Sequence, residues 1–210
     1  MTTAEAVSGH TLWPPNGTLS QWILDQFPRG YRGWAVDVGA SDGISINTTF
    51  ALEKSHRWTV LSVEANPDYL PLLIKHRAWV ESCACSFESG EALFHIHENN
   101  PESFSSLKPS PRNDRYPAGE MRWKSTRVRV KTVDQLMAKW DFPQLDLLAI
   151  DVEGTELDVL RGCDLERWRP LVICAECWDK VGPMDPYLEE KGYKKTARSV
   201  DNWLWLRGNA

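Results

Sequence analysis

Gly33-Trp34-Ala35-Val36-Asp37-Val38-Gly39-Ala40-Ser41-Asp42-Gly43 is the stretch that decides the fold. Its apolar run is short enough for a buried strand, and it passes directly into small residues at Gly39, Ala40 and Gly43, where backbone can approach a ligand closely. Ile44 to His56 then reads as a helix, which makes a strand-turn-helix unit. The unit recurs downstream. A second apolar strand, Trp58 to Val63, ends in Glu64-Ala65-Asn66-Pro67, and a helix from Pro67 to Arg77 starts with proline in its first turn.

A third strand from Val80 to Ser86 leads into Glu91 to His97, whose alternation suggests a further strand or hairpin arm. After a polar interval, Arg127 to Lys131 reads as a strand, and Thr132 caps a helix from Val133 to Trp140. The strand Leu145 to Ile150 ends at Asp151. A helix from Gly154 to Leu160 follows, closed by Gly162, and the all-apolar strand Leu171 to Ala175 ends at Glu176. A helix around Pro186 to Lys191 precedes two strands, Lys194 to Val200 and Trp203 to Arg207, joined at Asp201-Asn202 as a hairpin.

This alternation predicts an α/β chain with a Rossmann-like, mostly parallel sheet and a C-terminal antiparallel hairpin strand. Residues 1–30 read as a loose arm, Met1 to Gly17, and a helix from Thr18 or Ser20 to Phe27. Residues 31–210 read as a single domain with a lid-like insertion at about 98–126, which is polar and carries Phe104, Tyr116 and Trp123.

Length and composition agree with one globular domain: 210 residues, 42% hydrophobic and 25% charged. A net charge of −5 argues against a general nucleic-acid surface, although Arg112, Arg115, Arg122, Lys124, Arg127 and Arg129 make the insertion locally basic. No apolar run approaches a membrane span and the N-terminus lacks a secretory pattern, so the expectation is a cytoplasmic protein without a membrane partner. The five cysteines, Cys83, Cys85, Cys163, Cys174 and Cys177, are expected as reduced thiols. A zinc site from Cys83, Cys85, Cys174 and Cys177 is disfavoured, because both pairs lie on strands that sit several positions apart. Of eleven tryptophans, Trp13, Trp123 and Trp178 fall in expected loops, with packing the simpler role. His95 and His97 share one face of a strand and His10, His56 and His76 read as surface residues, so no histidine is assigned as a base.

In an open doubly wound sheet, ligands bind beyond the carboxyl ends of the strands. Asp37, Glu64, Asp151 and Glu176 stand at four such ends, where core packing does not explain ionised groups. Glu64 lies 27 positions after Asp37, one strand-helix-strand length, and a carboxylate there can accept both hydroxyls of a ribose. The turn is not G-x-G-x-x-G, so the pyrophosphate fingerprint is missing and a nucleoside cofactor without phosphates is favoured over NAD.

Asp37 to Gly43, Glu64-Ala65-Asn66-Pro67 and Leu147-Leu148-Ala149-Ile150-Asp151-Val152-Glu153-Gly154-Thr155-Glu156 together resemble the FkbM-type methyltransferases. Ser105-Ser106-Leu107 and Thr132-Val133-Asp134-Gln135-Leu136 share the likeness, which spans Trp34 to Glu176. The resemblance implies a class I methyltransferase fold that binds S-adenosylmethionine, most often for O-methylation. It implies that Asp37, Gly39 and Ala40 lie along the methionine part of the cofactor, with Ser41, Asp42, Gly43, Ala65 and Asp151 completing the surface. Glu64 would hold the ribose and Ser86 would lie near the adenine. Ser41 replaces a common asparagine, and Asp42 stands where the family is often more hydrophobic.

On the acceptor side, Asp151, Glu153 and Glu176 are the candidate catalytic acids. Asp151 and Glu176, joined by Glu153, are candidate ligands for Mg²⁺. The acceptor expected is a hydroxyl of a small molecule or saccharide. Alternatives are nitrogen methylation of a nucleic-acid or protein acceptor, or a binding module that kept the fold without chemistry.

Overall fold

The computed structural model describes residues 11–12, 18–45, 47–98, 105–108, 122–177, 182–199 and 201–208. The chain begins with β1 (Thr11–Leu12), α1 (Leu19–Leu24), β2 (Trp34–Val38), α2 (Phe50–His56), β3 (Thr59–Glu64), α3 (Leu70–His76), β4 (Trp79–Ser82) and β5 (Ala84–Cys85). It continues through β6 (Gly90–His97), β7 (Trp123–Lys131), α4 (Val133–Lys139), β8 (Leu147–Ile150), α5 (Glu156–Arg161), β9 (Val172–Glu176), α6 (Met184–Glu190), β10 (Tyr193–Ser199) and β11 (Asn202–Arg207).

Eight strands form one sheet in the order β1-β10-β11-β9-β8-β2-β3-β4. The run β9-β8-β2-β3-β4 is parallel, and β11 joins β9 and β10 antiparallel. Chain order reverses beside β2, which pairs with β3 on one side and β8 on the other. That is the switch point at which this architecture opens a crevice. Because neighbouring residues of a strand face opposite sides, strands covered twice are apolar along most of their length, and β2, β3, β8 and β9 are so, with Asp37 and Ser62 the buried polar residues inside them. Val36, Leu61, Leu148 and Ile173 pack with Leu136 and Met137 of α4 and Val159 of α5. Ala35, Val60, Leu147 and Val172 pack on the other face with Ile23 of α1 and Leu52 of α2.

The expected helix ends shift for a common reason. Asp42 Oδ1 accepts the N–H groups of Ile44 and Ser45 at 2.8 and 2.7 Å, and Asn47 Oδ1 accepts those of Thr49 and Phe50 at 3.0 and 2.9 Å. Side chains that satisfy backbone donors compete with helix, so α2 begins at Phe50 rather than Ile44. Asn66 Oδ1 holds Asp68 N–H at 3.0 Å, and α3 begins at Leu70 rather than at Pro67. Thr18 caps α1 and Thr132 caps α4, the latter in a capping box with Gln135.

Three expectations are corrected. The strand expected over Val80–Ser86 divides: β4 ends the large sheet, and after Cys83 the chain crosses as β5 into a three-stranded sheet, β5-β7-β6. β7 starts at Trp123, not Arg127, because Trp123 to Val130 pair with β6 from His97↔Trp123 to Gly90↔Val130; Trp123 is a strand residue. Thr11 and Leu12, expected in a loose arm, pair with Ala197 and Arg198. Trp13, Trp178, Phe104, Arg112, Arg115, Tyr116 and His10 lie outside the described residues. No helix among the described residues is long and apolar enough to cross a membrane.

Candidate functional site

At the carboxyl ends of β3, β2, β8 and β9 the sheet rim opens into a cleft of about 710 Å³. Gly39, Ala40 and Ser41 line it after β2, Glu64 to Asn66 after β3, Asp151 to Glu153 after β8, and Glu176 after β9. Neighbouring strands lie ~4.8 Å apart, so Glu64 and Glu176, three strands apart, span ~14 Å of rim. That is the length of an extended nucleoside bearing an amino-acid tail.

The turn after β2 is shaped by its neighbours. Gly39 and Ala40 donate their N–H groups to Val63 O at 2.9 and 3.0 Å, and Asp151 N–H donates to Val38 O at 2.8 Å. Gly39 takes φ +87°, and a Cβ there would lie 1.7 Å from the carbonyl oxygen of Asp151. Glycine is the residue that meets both conditions. Glu64 then fastens the turn: its Oε2 accepts Ser41 N–H at 2.7 Å and its Oε1 accepts Asn66 N–H at 2.6 Å. Burial raises the proton affinity of Glu64 above the usual carboxylate range, opposed by these backbone donors. Each of its oxygens has a second lone pair for a ligand hydroxyl.

Asp37 plays a different part from the one expected. It does not line the cleft. Its Oδ2 accepts Thr49 Oγ1–H at 2.6 Å and Asn47 Nδ2–H at 3.0 Å, with the Arg77 guanidinium 3.7 Å away. Arg77, buried to 4% exposure, also donates to Glu53, to Gly43 O at 3.1 Å, to Asn47 Oδ1 at 3.0 Å and to Thr49 Oγ1 at 2.6 Å. This network clamps the turn from beneath. Asp42 and Gly43 belong to the same support and also stand outside the lining, Asp42 holding Ile44 and Ser45, Gly43 packed on Leu73 and Arg77.

Ser86 is likewise displaced from the cleft. Its N–H donates to Lys131 O at 3.1 Å, and its carbonyl lies 2.2 Å from where a Cβ on Gly162 would stand. Cys83, Ala84, Cys85 and Phe94 line that end of the cleft instead. Asn66, whose Nδ2 is buried without a hydrogen-bond partner, also lines it, as do Ser105 and Leu107. Ser106 fixes that segment, pairing with His95 through two 2.9 Å backbone bonds and donating Oγ–H to Val152 O at 3.1 Å.

Asp151, Glu153 and Glu176 converge, one carboxylate oxygen of each lying within 4.8 Å of the others. Two unit charges at that spacing repel by roughly 3 kcal/mol at an effective dielectric constant near 20. Burial, then Asp151, Glu153 and Glu156, raise Glu176 far above its ordinary proton affinity. Burial, then Glu156 and Asp37, raise Asp151, while a hydrogen bond with Glu176 opposes the rise. Both carboxyls therefore hold a proton more readily than isolated acids do. Glu156 serves the backbone: its Oε1 accepts Gly154 N–H at 2.8 Å. No lysine, arginine or histidine occurs among the described lining residues. Arg122 does not line the cleft either, while Lys124 pairs with Asp68 at 2.6 Å, Arg127 lies 3.9 Å from Glu91, and Arg129 bonds Ser82 O at 3.4 Å, so these cations serve the small sheet and its surroundings.

This strand order, with its acid-lined crevice beside the switch point, defines a class I methyltransferase fold. The family described as the methyltransferase FkbM domain matches residues 37–195, and the chain belongs to that methyltransferase family. Methyltransferase sdnD of Sordaria araneosa is 26% identical over 193 residues, which cover 77% of this chain and 73% of that protein. The crystal structure of methyltransferase FkbM from Methylobacillus flagellatus KT superposes with a TM-score of 0.51 at 13% identity, over 83% of this chain and 43% of that one. The chain thus spans less than half of that structure's length. The METTL16 methyltransferase domain gives a TM-score of 0.52 at 10% identity, over 90% of this chain and 66% of that one.

Proposed function

We propose that this chain transfers a methyl group from S-adenosylmethionine to a hydroxyl oxygen of a small molecule or saccharide. The observation that carries the reading is the charge of the cleft: Glu64, Asp151, Glu153 and Glu176 line it, and no basic side chain joins them among the described residues. S-adenosylmethionine presents a diol, an ammonium and a sulfonium beside a single carboxylate, so it is a net cation, and it supplies the sulfonium-bound methyl. Glu64 would hold the ribose diol, and the unpartnered Asn66 Nδ2 would donate to an oxygen or ring nitrogen beside it. The Gly39-Ala40-Ser41 backbone would lie against the amino-acid portion, with Ala84, Cys85 and Phe94 walling the base. A dinucleotide would place phosphates among carboxylates, with no cation among the described lining residues.

Asp151 and Glu176 follow next along the rim, which suits them to position the acceptor and receive its proton. Among the described residues no basic side chain lines the cleft, which favours an uncharged acceptor over a phosphate-bearing one. The test is thermal: S-adenosylhomocysteine at ~100 times its dissociation constant stabilises by ~2.7 kcal/mol, several degrees here. A shift with S-adenosylhomocysteine but not with NAD⁺ is expected, followed by turnover in a panel of hydroxylated acceptors. No shift with S-adenosylhomocysteine overturns the reading, and methylation confined to amines overturns the oxygen assignment.

A further inference from the structure

Asp151, Glu153 and Glu176 stand in a small volume beyond the part of the cleft assigned to the nucleoside, and we infer that together they form a divalent-cation site, occupied by Mg²⁺ or Mn²⁺. Acidic side chains gathered on a surface are common, and water screens them. Here Glu176 is 8% exposed, and its Oε2 is buried without a hydrogen-bond donor. Glu176 thus keeps one buried oxygen without a donor while its carboxylate stands within 4.8 Å of two others, an arrangement that a cation would satisfy.

The three carboxylate oxygens fit one hard cation. Each lies within 4.8 Å of the others. Oxygens bound to one Mg²⁺ at ~2.1 Å are ~3 Å apart when adjacent and ~4.2 Å when opposite; at the ~2.4 Å of Ca²⁺ the separations are ~3.4 and ~4.8 Å. All-oxygen donors select hard cations over Zn²⁺ or Cu⁺, which prefer nitrogen and sulfur. The five cysteines lie elsewhere, buried in the two cores and the small sheet. A six-coordinate ion held by three carboxylates keeps positions open for water and for acceptor oxygens, and Asn202 and Ser199 of the β10–β11 hairpin line the cleft on that side.

This inference rests on the proposed methyltransferase site but is tested apart from activity. Full-length protein stripped with EDTA is titrated with Mn²⁺, and free Mn²⁺ is followed by electron paramagnetic resonance. One saturable site is expected, weakened at least tenfold in Glu176→Gln and in Glu153→Gln, and unchanged in Glu88→Gln, an exposed acid outside the cleft. Saturating S-adenosylhomocysteine should leave Mn²⁺ bound. No saturable binding, or affinity indifferent to both substitutions, overturns the site, as does displacement of Mn²⁺ by S-adenosylhomocysteine, which would make the acids the seat of the cofactor ammonium. Stabilisation by S-adenosylhomocysteine without Mn²⁺ binding defeats this inference and leaves the methyltransferase reading standing.

Discussion

The N–H of Ser41 donates to Glu64 Oε2 at 2.7 Å, so the turn after one strand is fastened to the acid that ends the next. Glu64 thereby shapes the cleft wall as well as facing the ligand. Its other oxygen, Oε1, is committed in the same way to Asn66 N–H at 2.6 Å, and that bond positions the buried Asn66 amide.

Glu64→Ala is expected to weaken S-adenosylhomocysteine binding ~10- to 100-fold, since hydrogen bonds to a charged group contribute ~1.5–3 kcal/mol. It also leaves two backbone donors without acceptors, so Tm should fall in the free protein too. Isothermal titration reads the first effect and a melt the second. A dissociation constant unchanged by the substitution would refute the ribose role.

Gly39→Ala tests the close approach of the turn to β8. Left-handed backbone costs a non-glycine residue ~1–2 kcal/mol, and the added methyl would also have to displace the Asp151 carbonyl, 1.7 Å away. The expected result is a Tm lowered by several degrees together with loss of the ligand-induced shift. A variant that melts and binds like the parent would show that the turn can relax away from Asp151.

Arg77→Met removes the cation beneath the turn while retaining much of its volume. Asp37 would then keep buried charge without a cation and Glu53 would keep only the half-exposed Lys54, and breaking a buried pair in this way costs about 3–5 kcal/mol. Urea unfolding monitored by circular dichroism should show the midpoint shift at unchanged slope. The double variant Arg77→Met, Glu53→Gln should recover part of it, and failure to recover any would place the loss in packing instead.

Much of this arrangement was legible in the sequence because doubly covered strands are mostly apolar, so β2, β3, β8 and β9 stand out and the acids at their ends with them. What escaped reading depends on tertiary partners. Arg77 looks like an ordinary basic residue closing a helix, and only the folded turn shows it buried among five acceptors. Asp37 looks like a rim acid until Thr49 and Asn47 turn back to bind it. Ser86 was one residue too far: the change of sheet at Cys83 brings Ala84 and Cys85 to the cleft, and nothing local in that apolar run marks the crossing. The two-residue β1 has no period to detect.

The two groups of perturbed acids predict opposite limbs of the stability profile. At Glu81, burial favours the neutral form, but hydrogen bonds from Lys139, Trp140 and Lys131 outweigh it and hold the carboxyl below its ordinary range. A carboxyl lowered on folding contributes stability that is present above its unfolded pKa, ~4.3, and lost as pH falls through the folded value. At Asp151 and Glu176 the shift is upward, so the folded protein holds protons that the unfolded chain releases above ~4, and stability declines as pH rises toward and past neutrality. Metal-free, ligand-free protein should therefore be most stable at mildly acidic pH. Glu176→Gln should flatten the decline between pH 6 and 9 without touching the acid limb, and Glu81→Gln should do the reverse, with Tm across pH as the measurement. An alkaline limb that persists in Glu176→Gln would mean that Glu176 does not carry the raised proton affinity.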